Sequence, residues 1–153
     1  MNTPLVLGIV VFAMSFAAVY YVNQNSATQF QFTPPYAFAS GGDLVSVLNS
    51  LFFVFFFTLL FFGMGAPLAL GIEGLKYASF YFAQAIPLFD LFYVLPQLIA
   101  AYSAVVLGTG ALADFQGKAS LFDYWKEGMK FFVAALALTA VLFLVRPFVS
   151  ITF

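Results

Sequence analysis

The sequence predicts an all-α, polytopic integral membrane protein, a helical bundle of about five transmembrane helices. Three observations lead there. The chain of 153 residues is 64% hydrophobic and only 7% charged, whereas a soluble domain is about a quarter charged. Six of its ionisable side chains, Asp114, Lys118, Asp123, Lys126, Glu127 and Lys130, crowd into residues 114–130. Elsewhere the chain offers long charge-free apolar runs, the form that a bilayer core of ~30 Å selects.

The first helix is expected over residues 4–22. No Lys or Arg precedes it and no small-x-small cleavage site follows, so it reads as a retained anchor and not as a cleaved signal. Residues 23–43 form a polar loop with no charge before Asp43, marked by Pro34-Pro35 and Gly41-Gly42 as turns. A second helix is expected over residues 44–63. Its phenylalanine run, Phe55-Phe56-Phe57 included, is apolar all round, so periodicity names no lipid face. Gly63, Gly65 and Pro67 then interrupt the chain as a hinge, because two glycines and a proline so close together break or bend a helix.

If the second helix ran on past this break, too few residues would remain for a return across the bilayer. The third helix is therefore placed over residues 66–86 and the fourth over 91–113, with a tight turn between them at 87–90. Ser120 and Asp123 resemble a capping box. An interfacial amphipathic helix is expected over 120–130, with Trp125, Lys126 and Lys130 as its anchors at the headgroup level. The same residues also suit the solvated first turns of the fifth helix, which is expected over 131–149.

Lys118, Lys126 and Lys130 share one short loop, which the positive-inside rule places in the cytoplasm. Counting back over five spans puts the N-terminus inside and the C-terminus outside the cytoplasmic membrane. All of residues 1–153 make one membrane-embedded domain.

Composition also excludes chemistry. The chain has no Cys and no His, so it has no thiolate or histidine metal site and no Cys/His nucleophile of its own. Its net charge of −1 offers no basic patch to nucleic acid. No cofactor, metal or catalytic residue is expected. What stands out instead is Glu73 and Lys76, three apart on one helix face and inside the membrane. A charge at such a depth costs at least ~2.5–3.5 kcal/mol, so it must face protein or water and be paired. The two residues read either as part of a polar path or partner contact, or as a self-satisfied pair.

Several segments resemble the stage II sporulation protein M family of bacterial and archaeal membrane proteins, over about residues 48–150. Leu48-Asn49-Ser50, then an apolar run and Gly63-Met64-Gly65, is similar to that family's Asn-Asn start and Gly-x-Gly. Glu73-Gly74 stands where the family has Asn-Gly. Asp90-Leu91-Phe92-Tyr93-Val94-Leu95-Pro96 is similar to its His-Gly-x-x-Glu-Leu-Pro segment, and Val145-Arg146-Pro147-Phe148-Val149-Ser150 to its Ile-Glu-x-Phe-Val-Ser/Thr ending. The chain departs at Asp90 for His, Leu91 for Gly, Val94 for Glu and Arg146 for Glu. The resemblance implies a multi-spanning bundle and a scaffolding role. Where the family has His and Glu, this chain has Asp90 and Arg146, and both fall on the outer surface in the expected topology. Two exchanged signs on one membrane face suggest an outer-surface ion pair between them.

The function that these readings favour is a non-enzymatic membrane scaffold or subunit of a membrane protein complex. Its partners would be the lipid bilayer and other membrane subunits or further copies of itself. A small oligomeric transporter or channel component is the alternative, as is an accessory subunit of a respiratory or photosynthetic complex.

Overall fold

A computed structural model describes residues 3–25, 44–82 and 88–149 of the chain. The described residues are mostly helical and hold no strand, with five α-helices: α1 (Thr3–Asn25), α2 (Leu44–Leu60), α3 (Ala66–Phe82), α4 (Val94–Phe115) and α5 (Leu121–Val145). Short 3-10 turns at Leu88–Tyr93 and Arg146–Phe148 precede α4 and follow α5. Of the loop expected at 23–43, residues 23–25 are instead the last turn of α1, and 26–43 lie outside the described residues, as do 83–86 of the expected third helix and residue 87 of the expected turn.

Among the described residues, three stretches are long and apolar enough to cross a membrane, against the five expected: Thr3–Asn25, Phe89–Phe115 and Leu121–Phe148. The described parts of α2 and α3, 17 residues each, reach about 25 Å. α4 is the centre of the bundle. Of its membrane-length window 61% is buried, against 11% for α1 and 22% for the α5 stretch. Its sequence explains this, because Ala100, Ala101, Ser103, Ala104, Gly108 and Gly110 let neighbours approach closely. α5 lies along one side of α4, α2 along another, and α1 packs on α3. Leu51, Phe55, Leu107 and Phe132 fill the α2–α4–α5 core, with the rings of Phe55 and Phe132 4.0 Å apart. A Cβ added at Gly74 would lie 2.6 Å from the Phe12 carbonyl oxygen, so α1 rests directly on the α3 backbone.

Two expectations are corrected here. The interfacial helix and the fifth helix are one continuous helix, α5, so Trp125, Lys126 and Lys130 belong to its exposed first turns. Nothing breaks it: residues 121–145 hold no proline, and the one glycine, Gly128, is packed against Leu107. The fourth helix begins at Val94 and not at residue 91, because residues 88–93 wind as a tighter 3-10 turn first. Pro96 fits in the first turn of α4, where no intrahelical N–H is needed. At the start of α5, Ser120 Oγ accepts from the Phe122 N–H at 3.2 Å, while Asp114 Oδ1 takes the Leu121 N–H at 3.3 Å. The cap thus draws its second acceptor from the end of α4 as well as from Ser120.

The expected hinge is a closed turn, residues 61–65. Gly63 N donates to Thr58 O at 2.8 Å and Phe62 N to Leu59 O at 2.9 Å, the paired bonds of a Schellman ending. Phe62 holds the left-handed position at φ 52°, where glycine is normally found, and Gly63 follows at φ 87°. Pro67 starts α3. The turn sits on α4, since a Cβ at Gly108 would lie 2.4 Å from the Phe62 carbonyl carbon. That neighbour is backbone and has little room to yield. Gly108→Ala is therefore expected to lower stability by about 1–3 kcal/mol, read as a shifted unfolding midpoint in detergent. A neutral result would show that the turn and α4 do not meet so closely.

Candidate functional site: a buried polar column

Two helix faces supply the site. On α3, Glu73, Lys76 and Tyr77 are spaced by three and four and share one face. On the 3-10 turn and α4, Asp90, Tyr93 and Gln97 are similarly spaced. All six are buried, with Glu73 at 0%, Asp90, Tyr93 and Gln97 at 1%, Lys76 at 5% and Tyr77 at 6% exposure. α2 adds Ser46 and Ser50 from its inward face, and the end of α5 adds Arg146.

Glu73 and Lys76 make an i,i+3 ion pair at 2.5 Å. Lys76 Nζ also donates to Ser50 Oγ, and it lies 5.0 Å from the centre of the Tyr77 ring. Ser50 in turn donates to the Ser46 carbonyl at 3.1 Å. Gln97 Nε2 donates at 3.1 Å to both Glu73 Oε2 and the Tyr77 hydroxyl. One ion pair thereby joins three helices, α2, α3 and α4. A buried charge is tolerable only when its partner and remaining hydrogen bonds are supplied in this way.

Asp90 and Arg146 form the second pair. Arg146 Nε donates to Asp90 Oδ1 at 2.8 Å and Arg146 Nη2 to Asp90 Oδ2 at 2.9 Å. This is the bidentate fork that suits a planar guanidinium to a carboxylate. It ties the turn before α4 to the end of α5, 56 residues later. The carboxylate side chain is 1% exposed and the guanidinium side chain 29%, so the pair closes the column at a rim. Between the two pairs lie Tyr77 and Tyr93, packed together with Val47 and walled by Phe12, Phe16 and Leu142. Arg146, Asp90, Tyr93, Tyr77, Gln97, Glu73, Lys76 and Ser50 thus make one column.

The residues singled out from the sequence sort into two groups. Glu73, Lys76, Asp90 and Arg146 come together in this column. Trp125, Lys126 and Lys130 stand apart from it on the exposed start of α5. Gln97, Tyr77, Tyr93 and Ser50 were missed. The signal that finds them is helical spacing, since polar residues at 90, 93 and 97 fall on one face, as do those at 73, 76 and 77.

The chemistry of the column is that of a clamp. Each carboxylate is engaged by a cation, and a neutral amide bridges the carboxylate of Glu73 to a phenol. Two further buried atoms, Gln97 Oε1 and the Tyr93 hydroxyl, have no hydrogen-bond partner among the described residues. No family model, curated protein or solved structure matches this chain, so the family resemblance rests on the residues quoted for it.

Proposed function

We propose that this protein is a non-enzymatic scaffold or subunit of a membrane protein complex, held in the cytoplasmic membrane by five spans with the N-terminus inside and the C-terminus outside. One observation carries the reading. The charges on α3, on the turn before α4 and at the end of α5 face inward and meet in two pairs, while the outward surface away from the start of α5 is broad and apolar. Met14, Phe56, Leu60 and Leu144 are all more than half exposed. A protein that spends its intramembrane polar groups on internal ties is built to hold a shape. Its outer faces are left for lipid and neighbouring subunits.

Gentle extraction of the full chain from its native membrane is expected to bring a chain of different sequence with it. A preparation containing only copies of this chain, and moving a solute across vesicles, would overturn the reading. The column gives the transporter alternative its specific support, because buried ionisable groups inside a bundle also mark solute or proton paths. Cofactor-bearing chains among the partners would favour an accessory subunit. The topology has its own check: reporter fusions at residue 30 and residue 120 are expected to report opposite sides. Agreement between the two would refute five spans with this orientation.

A further inference from the structure

The outward face of α2 carries a regular stripe. Val45, Asn49, Phe52, Phe56 and Leu60 follow one another at spacings of three and four, which places them along one side of the helix. The opposite side, with Ser50, Leu51, Val54 and Thr58, is the buried one. Val45 is 55%, Phe56 58% and Leu60 72% exposed. One turn into this apolar stripe stands a single amide, Asn49. It is half-buried among Phe52, Phe53 and Phe56, in a groove of aromatic side chains along α2. No hydrogen bond joins its side chain to any described residue.

Asn49 is the sixth residue of α2, about 7.5 Å from its start at 1.5 Å per residue. A primary amide facing hydrocarbon lacks the partners that water would give it, which is costly. Lipid tails cannot supply them. The seam spacing of the stripe is what a second helix packs against. An amide carries both donors and an acceptor, so it complements another amide. Across a twofold axis, each copy of Asn49 donates an N–H to the other's Oδ1, and both are satisfied at once. Phe52 and Phe56 from each copy then interdigitate beside the amide pair.

We infer that two copies of this chain associate face to face through α2, with Asn49 hydrogen-bonded to its symmetry mate inside the membrane. The occupant of the groove is a second copy because the one polar group in it is self-complementary, as an isologous contact requires. Interhelical amide bonds of this kind are the recognised means by which polar side chains hold transmembrane helices together. The inference stands independently of the complex-subunit reading: a dimer is compatible with a further partner or with none.

Single cysteines test it directly, since the chain has no cysteine of its own. The full chain is placed in lipid vesicles at low density and treated with a mild oxidant. Val45→Cys, Phe52→Cys and Phe56→Cys are expected to give disulfide-linked dimers. Met14→Cys and Leu68→Cys, on α1 and α3 and more exposed than any of these three, are expected to stay monomeric. Asn49→Leu should weaken dimerisation about 3- to 30-fold, as loss of an intramembrane amide contact does, and Asn49→Gln should retain most of it. Equal yields at all five cysteine positions would overturn the inference. So would cross-links only to a different protein, or a dimer indifferent to Asn49→Leu. Should Asn49→Leu fail to insert, the cysteine pattern on the otherwise unchanged chain decides alone. Failure to dimerise would leave a co-extracted partner in place, so the two claims fail separately.

Discussion

Arg146→Met is expected to cost about 3–5 kcal/mol of stability, more than Asp90→Asn at about 1.5–3 kcal/mol. The asymmetry comes from burial. The Asp90 side chain is 1% exposed, and that of Arg146 29%. Removing the guanidinium strands a carboxylate where water does not reach. Removing the carboxylate charge leaves a guanidinium that can turn toward the rim. Arg146→Lys should fall between wild type and Arg146→Met, because an ammonium cannot grip both carboxylate oxygens in the same fork. The sequence places these partners at the two ends of a pair of helices, so their loss is expected to loosen the end of α5 in particular. Unfolding in detergent measures the total cost. Reactivity of a cysteine placed at Leu142, which packs near Tyr93, measures the local release. In the charge-swapped pair, Asp90→Arg with Arg146→Asp, part of the loss of each single change should return. Equal costs for both singles and no recovery in the swap would mean that the two charges act independently.

The second large effect is expected at the other end of the column. Lys76→Met and Glu73→Leu should each lower stability by about 3–5 kcal/mol, because each leaves a buried charge without its counter-ion. Gln97→Leu should cost less, about 1.5–3 kcal/mol, the range for a hydrogen bond to a charged group. It removes the link from α4 to both Glu73 and Tyr77. For comparison, Leu68 on α3 is 59% exposed. Leu68→Ala should be nearly neutral, which separates loss of the clamp from general sensitivity of α3. The order of these costs, read from denaturant midpoints on the same preparation, checks the account.

Much of this architecture was legible because charge and hydrophobicity are read by the bilayer itself. The apolar runs located the five described helices, and the break at Gly63 and Gly65 fell where the chain turns. The pairing of Asp90 with Arg146 was foreseen from two exchanged signs at resembling positions. The course of α5 was harder. An amphipathic start and an apolar continuation look like two elements to a composition argument, yet no residue between them stops a helix. The late start of α4 was equally hidden, since a 3-10 turn and an α-turn differ by one hydrogen-bond step that composition does not encode. Gln97 escaped notice because one glutamine in an apolar helix is judged alone. Its role appears only when α3 brings Glu73 and Tyr77 to the same level. The outward face of α2 was unreadable for a different reason. Its phenylalanines surround the helix, and only the packing of α4 shows which of them are left over.

The measurement that bears most directly on the clamp is the joint replacement of Glu73 by Leu and Lys76 by Met. A buried ion pair that serves as an internal tie can be exchanged whole for apolar side chains at little cost, although removal of either partner alone is damaging. The double variant is therefore expected to unfold within about 1 kcal/mol of the unchanged chain and to be extracted with the same partner. A double variant that folds normally but loses its partner, or abolishes movement of a solute across vesicles, would contradict the account and give the pair a working role.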